Sequence, residues 1–143
     1  MQVKRTAFLC GALALLMSSA GRAEDEPKGY VCTFDAGTAW TFDAGKFAQK
    51  SPEPIKLAIA DVNLERQTAT LVPDAGKAPG ALKIVRAINA NHFLEVVNEG
   101  FLNLTTIYDK DPASGEYPAV HSRHFGVLGQ PVVAQYAGAC SAK

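Results

Sequence analysis

The sequence predicts an all-β protein, a small antiparallel barrel or sandwich of about eight strands closed by one disulfide, after a cleaved N-terminal signal helix. From Tyr30 onward, apolar residues recur with a period of two, and clusters of Gly, Asn, Asp and Pro separate the apolar runs. A disulfide between Cys32 and Cys140 would place the two ends of the mature chain side by side. A closed barrel meets this requirement directly, so we favour the barrel over the sandwich.

The alternation is clearest in two runs. Ile55, Leu57 and Ile59 form one of them, and Leu82 with Ile84 belongs to the other. The predicted strands cover residues 30–35, 38–43, 55–60, 66–72, 82–88, 92–98, 101–108, 117–125 and 131–138. The predicted turns cover 61–63, 73–76, 89–91, 98–100 and 109–115, and the longer predicted loop covers 46–54. These short connections predict antiparallel neighbours.

A five-residue phrase, TFDAG, occurs at 33–37 and again at 41–45. Asp can accept hydrogen bonds from the backbone two residues on, and Gly supplies the positive φ that closes a hairpin, so each copy predicts a strand end with a three-residue loop. The strand between the copies would place Trp40 and Phe42 on one face, towards the core. The aspartates are too sparse for a calcium-binding repeat.

The first 23 residues have the layout of a secretory signal peptide. Lys4 and Arg5 precede an apolar run over 7–17, and small residues follow. The run is shorter than the roughly 20 residues that cross a bilayer, so we predict no transmembrane segment in the mature chain. We expect cleavage after Ala23, with Ala20 as the alternative, a mobile tail over 24–29, a single β-domain over 30–143, and a periplasmic or secreted location.

Composition excludes one class of function. Cleavage after Ala23 leaves 11 basic and 14 acidic residues, so the mature chain is slightly acidic and no nucleic-acid partner is expected. The predicted Cys32–Cys140 disulfide would stabilise the domain by about 4 to 5 kcal/mol in the entropic model, as an upper figure.

Candidate chemistry is concentrated around the segment AVHSRHFG. On a strand, His121 and Arg123 face one way while Ser122 and His124 face the other, which disfavours both a metal site and a catalytic triad. No nucleophile elbow, phosphate loop or dinucleotide motif is present, so we predict neither an enzyme nor a cofactor. A metal-dependent enzyme that uses His92, His121 and His124 stays as a minor alternative.

The segment FGVLGQP predicts an apolar loop over 125–131, either projecting to bind a partner or folding inward to plug the barrel. Its neighbourhood combines apolar residues with polar residues of the kind found at recognition sites. The predicted binding residues are Arg123, His124, Val127, Leu128 and Gln130.

The pattern Tyr30-x-Cys32 with a lone second cysteine near the end of the chain resembles the small periplasmic lysozyme inhibitors of the membrane-bound C-type group. This resemblance implies a compact antiparallel barrel that blocks an enzyme cleft with a loop. Their Ser-Gly-x-x-Tyr signature is not matched, because Ser114-Gly115-Glu116-Tyr117 has one spacer too few. No functional residue is therefore carried over.

Export, size and the lack of catalytic motifs together predict a non-enzymatic binding protein that acts as an inhibitor or adaptor of an envelope protein. The alternative is a carrier whose barrel holds a small apolar ligand. A wide interior lined by small or polar side chains would favour the carrier.

Overall fold

The structure is a computed structural model that describes residues 26–73, 75–97, 101–127 and 129–143. The predicted signal peptide over 1–23 lies outside the described residues, as do residues 24 and 25 of the predicted tail, Leu128, and the turn predicted at 98–100. Within the described ranges, no helix has the length and apolar character needed to cross a membrane.

Nine strands make up the described part of the chain. They are β1 (Tyr30–Asp43), β2 (Lys46–Lys50), β3 (Ile55–Asn63), β4 (Thr68–Val72), β5 (Gly80–Arg86), β6 (Ala90–Val97), β7 (Phe101–Tyr108), β8 (Tyr117–Val127) and β9 (Gln130–Ala142). Each predicted strand overlaps one of these, but β1 joins two predicted strands and β2 was expected to be loop. Bounds also differ: β3 includes the predicted turn at 61–63, β6 begins inside the predicted turn at 89–91, and β9 continues past 138 to Ala142.

One closed sheet confirms the barrel prediction. From β3 to β9 each strand pairs antiparallel with the next, and β1 pairs with both β3 and β9, so eight strands form a ring. Consecutive strands are neighbours because the connections between them are short. Since a sandwich would consist of two separate sheets, the ring decides between the two predicted architectures.

Strand β2 extends the barrel wall beyond one end of the ring. It pairs with the second half of β1 from Asp43–Lys46 to Ala39–Lys50, and β3 pairs with the first half of β1 in the same register. The segment 46–50 is therefore a strand, because β1 is long enough to offer it a partner. All five of its residues are exposed, and among the described strands only β1 pairs with it.

The two copies of TFDAG have different structural roles, so the prediction of two equivalent hairpin loops was wrong. The second copy ends in a two-residue hairpin turn, in which Ala44 and Gly45 both have positive φ, at 47° and 78°. The first copy lies inside β1, where the pairing with β9 shifts register between Thr33 and Ala36. It therefore forms a β-bulge, which adds one residue to β1 and no turn.

The bulge changes which alternate residues of β1 point into the barrel, from even-numbered residues before it to odd-numbered residues after it. Before it, Cys32 and Phe34 are buried; after it, Ala39 is buried and Trp40 is only partly covered. Trp40 and Phe42 therefore lie on the outer face, contrary to the prediction, and the Phe42 ring contacts the Phe47 ring at 5.0 Å between centroids. The extra residue in β1 could not be deduced from the period-two pattern, which assumes regular pairing.

Gly138 allows β1 and β9 to approach each other at the bulge. A Cβ at Gly138 would overlap the carbonyl oxygen of Thr33 and lie 2.8 Å from the Cα atom of Phe34. Close by, the predicted disulfide is confirmed: Cys32 and Cys140 lie directly opposite each other in the same strand pair and are bonded. The disulfide therefore joins the first and last strands of the ring.

Large side chains fill the middle of the barrel. The most completely buried are Phe34, Ile59, Ile84, Phe93, Cys32 and Cys140. Phe93 is 1% exposed, and burial of a side chain of this size stabilises the fold by about 2 to 3 kcal/mol. The core is thus concentrated at mid-height.

One end of the barrel is closed by tyrosines. The Tyr30 ring packs edge-on against the rings of Tyr117 at 5.3 Å and Phe93 at 6.1 Å. Burial, with a contribution from Tyr117, raises the pKa of Tyr30 to about 12. Beside this end, the carbonyl oxygen of Lys28 accepts a hydrogen bond from the Val62 amide at 3.0 Å. We call this the closed end, and the opposite end, where the β4–β5, β6–β7 and β8–β9 connections lie, the open end.

Candidate ligand-binding cavity

A cavity of about 550 Å³ occupies the open end of the barrel. It lies above the filled core and reaches the surface through the wall between β3 and β4. Pairing between these strands stops at Ala58 and Val72, although β3 begins at Ile55, so the wall is open at this point. A second cavity, of about 320 Å³, lies at the closed end beside Tyr30.

One side of the large cavity is apolar. Alternate residues of β3 and β5 point into the barrel, as the burial of Ile59, Leu82 and Ile84 shows. The apolar side chains that line the cavity from inside the barrel are Ile55, Leu57, Leu71, Leu82 and Phe93. The sequence pattern placed Ile55, Leu57 and Leu82 on inward positions correctly, and together these five residues form a surface suited to hydrocarbon.

The other side carries a row of polar residues from three neighbouring strands. Glu95, Asn103 and Arg123 are consecutive cross-strand partners on β6, β7 and β8, and all three line the cavity. The side-chain amide of Asn103 donates a hydrogen bond to Glu95 Oε2 at 2.8 Å. The side-chain oxygen of Asn103, Oδ1, is buried and has no hydrogen-bond partner among the described residues. The row therefore brings the carboxylate of Glu95 and the guanidinium of Arg123 to the same space, while the side-chain oxygen of Asn103 is buried in the wall.

Gly80 makes room for the carboxylate in this row. A Cβ at Gly80 would lie 3.0 Å from Glu95 Oε1 and 3.2 Å from the Leu71 Cβ, both tighter than ordinary contacts. Because Gly80 has no side chain, Glu95 can lie between the apolar wall and Asn103.

Arg123, the last residue of the polar row, packs against an aromatic side chain of its own strand. Its guanidinium carbon is 5.7 Å from the centroid of the Phe125 ring, which in turn stacks on Phe101 at 5.4 Å. This distance is within the range of a cation–π interaction. No carboxylate among the described residues forms an ion pair with Arg123. The guanidinium is therefore held by an aromatic face, and its hydrogen-bond donors are not engaged by a carboxylate from this part of the chain.

The floor of the cavity is formed by Thr105 and His121. Both are buried, and the Thr105 hydroxyl and His121 Nδ1 share a hydrogen bond at 2.8 Å. The His121 ring packs against Phe34 and Tyr136, with centroids 5.7 and 6.0 Å apart. Burial, together with the positive charge of Arg123, lowers the pKa of His121 to about 4. His121 is consequently neutral at physiological pH.

The structure describes the side chains of three of the five predicted binding residues. Arg123 lines the cavity, whereas His124 and Gln130 are exposed, and His124 follows Arg123 on the opposite face of β8. Leu128 lies outside the described residues, and for Val127 the structure gives the backbone pairing with Gln130. A common binding surface of these five residues therefore stays a prediction.

The apolar loop predicted over 125–131 is mostly strand. Pairing between β8 and β9 continues as far as Val127–Gln130, so the connection contains only residues 128 and 129. Gly129 has φ of 82°, which suits such a tight hairpin. Gly126 and Pro131, interpreted from sequence as loop residues, are cross-strand partners.

The three histidines occupy three different environments. His121 lies inside the barrel, His124 is exposed, and His92 Nδ1 contacts the Thr106 hydroxyl at 2.9 Å on the outer face of β6 and β7. Over the described ranges, no group of three or more His, Cys, Asp or Glu side chains could hold a metal ion. The alternative of a metal enzyme therefore lacks the convergence that it requires.

Sequence reasoning missed Glu95, Asn103 and Thr105 as cavity residues. Asn103 and Thr105 alternate with outward-facing neighbours, in phase with buried Ile107, and Glu95 is in phase with buried Phe93. Polar residues in the inward phase of two adjacent strands are the signal that could have found them.

No protein-family model matches the sequence, and no curated protein matches it.

Proposed function

We propose that the protein is a non-enzymatic binding protein, located in the periplasm or outside the cell, that holds a small molecule in the open end of its barrel. The observation that supports this function best is the cavity of about 550 Å³, which combines an apolar wall with a few convergent polar groups. Ligand sites in proteins generally have this size and composition. The Cys32–Cys140 disulfide is consistent with an oxidising compartment.

The distribution of packing within the barrel supports this proposal over a purely structural interior. An eight-stranded barrel is just wide enough either to be filled by side chains or to hold one small ligand. Here Phe34, Ile59 and Phe93 fill the middle, while the open end keeps an unfilled space next to Glu95 and Arg123. A barrel that needed only stability would be expected to fill this end with apolar side chains as well.

A neutral, environment-sensitive fluorophore tests the proposal. N-phenyl-1-naphthylamine should bind the folded protein with 1:1 stoichiometry and gain fluorescence. Leu57→Trp, which adds volume inside the cavity, should abolish binding, whereas Val85→Trp on the exposed face of β5 should leave it unchanged. Urea unfolding of each variant shows whether the fold is intact. Equal binding by both variants, or no binding by the original protein, would refute the cavity as a ligand site.

A second candidate function is an inhibitor or adaptor that contacts an envelope protein. The observation that favours it is the β1–β2 hairpin, which extends past the ring and exposes 55% of Phe47. Exposed aromatic residues on a projecting hairpin are suited to a protein interface. Crosslinking in the intact envelope followed by mass spectrometry tests it: one reproducible partner should be lost with Phe47→Ser and retained with Ile88→Ser at the closed end. Equal capture by both variants would contradict this function.

A further inference from the structure

We infer that the ligand of the open-end cavity is an amphiphilic anion, with a carboxylate head bound by Arg123 and a hydrocarbon body against the wall formed by β3, β4 and β5. This inference rests on the proposed function, because it assumes that the cavity binds a small molecule. It adds the chemical class of the ligand and the residue that selects it.

The polar partners already made inside the cavity support an anion over a cation. Glu95 accepts a hydrogen bond from the Asn103 amide at 2.8 Å, so part of its hydrogen-bonding capacity is used. Arg123 is held by the Phe125 ring and by no carboxylate among the described residues. A guanidinium that has no carboxylate partner among these residues and lies next to apolar surface is stabilised by an anion that enters, and its planar fork matches a carboxylate with two parallel hydrogen bonds.

The charges that line the cavity point in the same direction. They are Lys56, Lys77, Glu95 and Arg123. Inside the barrel the charge of Arg123 is accompanied by that of Glu95, and Lys56, which alternates with inward-facing Ile55 and Leu57, adds a positive charge on the outer side of the wall opening. Lys56 lies near the wall opening, where its charge would attract an incoming anion, and Arg123 lies deeper.

The geometry of the cavity separates the two parts of such a ligand. Arg123 and Asn103 lie on β8 and β7, while Leu57, Leu71 and Leu82 lie on β3, β4 and β5. A molecule with a charged end and an apolar end would place each end against its complementary surface.

Displacement of bound N-phenyl-1-naphthylamine by ten-carbon compounds tests the inference at pH 7.5. Decanoate, decan-1-ol and decyltrimethylammonium share one chain and differ in the charge of the head. Decanoate should displace the fluorophore at concentrations about 10- to 100-fold lower than decan-1-ol, as expected for a charge-assisted hydrogen bond in a partly desolvated site. Decyltrimethylammonium should be weakest of the three.

Variants identify the residue responsible. Arg123→Gln should remove the advantage of decanoate over decan-1-ol, Arg123→Lys should keep part of it, and Lys56→Gln should change it by less than about threefold, as expected for an exposed charge. Retained binding of decan-1-ol by Arg123→Gln shows that this variant is folded. Similar affinities for decanoate and decan-1-ol, or tighter binding of decyltrimethylammonium, would overturn the inference while leaving the proposed function intact. Failure of the fluorophore itself to bind would overturn the proposed function.

Discussion

Acidification from pH 7 to pH 5 is expected to destabilise the protein through His121. The His121 side chain is 6% exposed, shares a hydrogen bond with Thr105 and packs against the rings of Phe34 and Tyr136. Its pKa is lowered from 6.5 to about 4 by burial and then by the charge of Arg123. The folded protein therefore prefers the neutral imidazole, whereas the unfolded chain takes up a proton as the pH falls below 6.5.

The sign and size of the effect follow from proton linkage. Between pH 6.5 and about 4 the unfolded state binds more protons than the folded state, so stability rises with pH across this window and falls on acidification. A pKa shift of this size corresponds to about 3 kcal/mol when it is fully expressed below pH 4. Between pH 7 and pH 5 the expected loss is about 2 kcal/mol.

Urea unfolding at pH 7, 6 and 5 measures this loss, and variants isolate the contribution of His121 from that of the carboxylates. His121→Gln keeps a polar partner for Thr105 and does not titrate in this range. The free energy of unfolding of the original protein, minus that of His121→Gln, should fall by about 2 kcal/mol from pH 7 to pH 5. His124→Gln, at an exposed position of the same strand, should show no such change. Parallel pH profiles for the original protein and His121→Gln would refute the reasoning.

Three further predictions concern the fold. Gly138→Ala should lower the free energy of unfolding in urea by about 3 kcal/mol or more, because its Cβ would overlap the backbone of β1. The control Gly126→Ala, whose nearest contact is at 3.8 Å, should lower it by less than about 1 kcal/mol. Equal losses would contradict the close approach of β1 and β9 at Gly138. Replacement of Cys32 and Cys140 by Ser should lower the free energy of unfolding by about 2 to 5 kcal/mol, and an unchanged melting temperature would argue against a stabilising bridge. Gly45→Ala should cost about 1 kcal/mol from its positive φ of 78° alone, since open space surrounds it, so a much larger loss would imply a contact that the structure does not contain.

The architecture could be predicted because the local signals agree with one another. Alternating apolar residues in β3 and β5 identify strands with one buried face, and the turn residues between strands predict antiparallel order. The Cys32–Cys140 bridge requires the first and last strands to be neighbours, and the ring meets this requirement. Strand bounds were less predictable, because pairing extends into the segment 46–50 and into 126–127, where composition alone suggested loops.

The bulge in β1 shows where pattern reasoning fails. The repeated phrase TFDAG has the same local chemistry twice, yet only the second copy turns the chain. The first copy faces Gly138, which lies more than one hundred residues away in sequence and lets the β1 backbone accommodate an additional residue. Tertiary context therefore decides between bulge and turn, and with it the face on which Trp40 lies.

The candidate site could be predicted only in part for a related reason. Arg123 was selected because it lies in a segment dense in polar residues, but its partners Glu95 and Asn103 come from strands that read as ordinary alternating sequence. Glu95, Asn103 and Arg123 lie side by side only because of the register of β6, β7 and β8, and this register is fixed by the connections and the core. Since cross-strand register is a non-local property, the row of polar residues becomes visible only in the folded barrel.

The layering of the barrel interior links its stability to its proposed function. The layer at mid-height contains Phe34, Ile59 and Phe93, which are almost fully buried and provide much of the apolar burial. Thr105 and His121 form the boundary, where each satisfies a polar atom of the other. Above them, the side-chain amide of Asn103 holds Glu95 by a hydrogen bond, and both residues line the cavity. The interior is therefore filled by large side chains at mid-height and left unfilled beside Glu95 and Arg123, so the least packed part of the barrel is also the part best suited to hold a ligand.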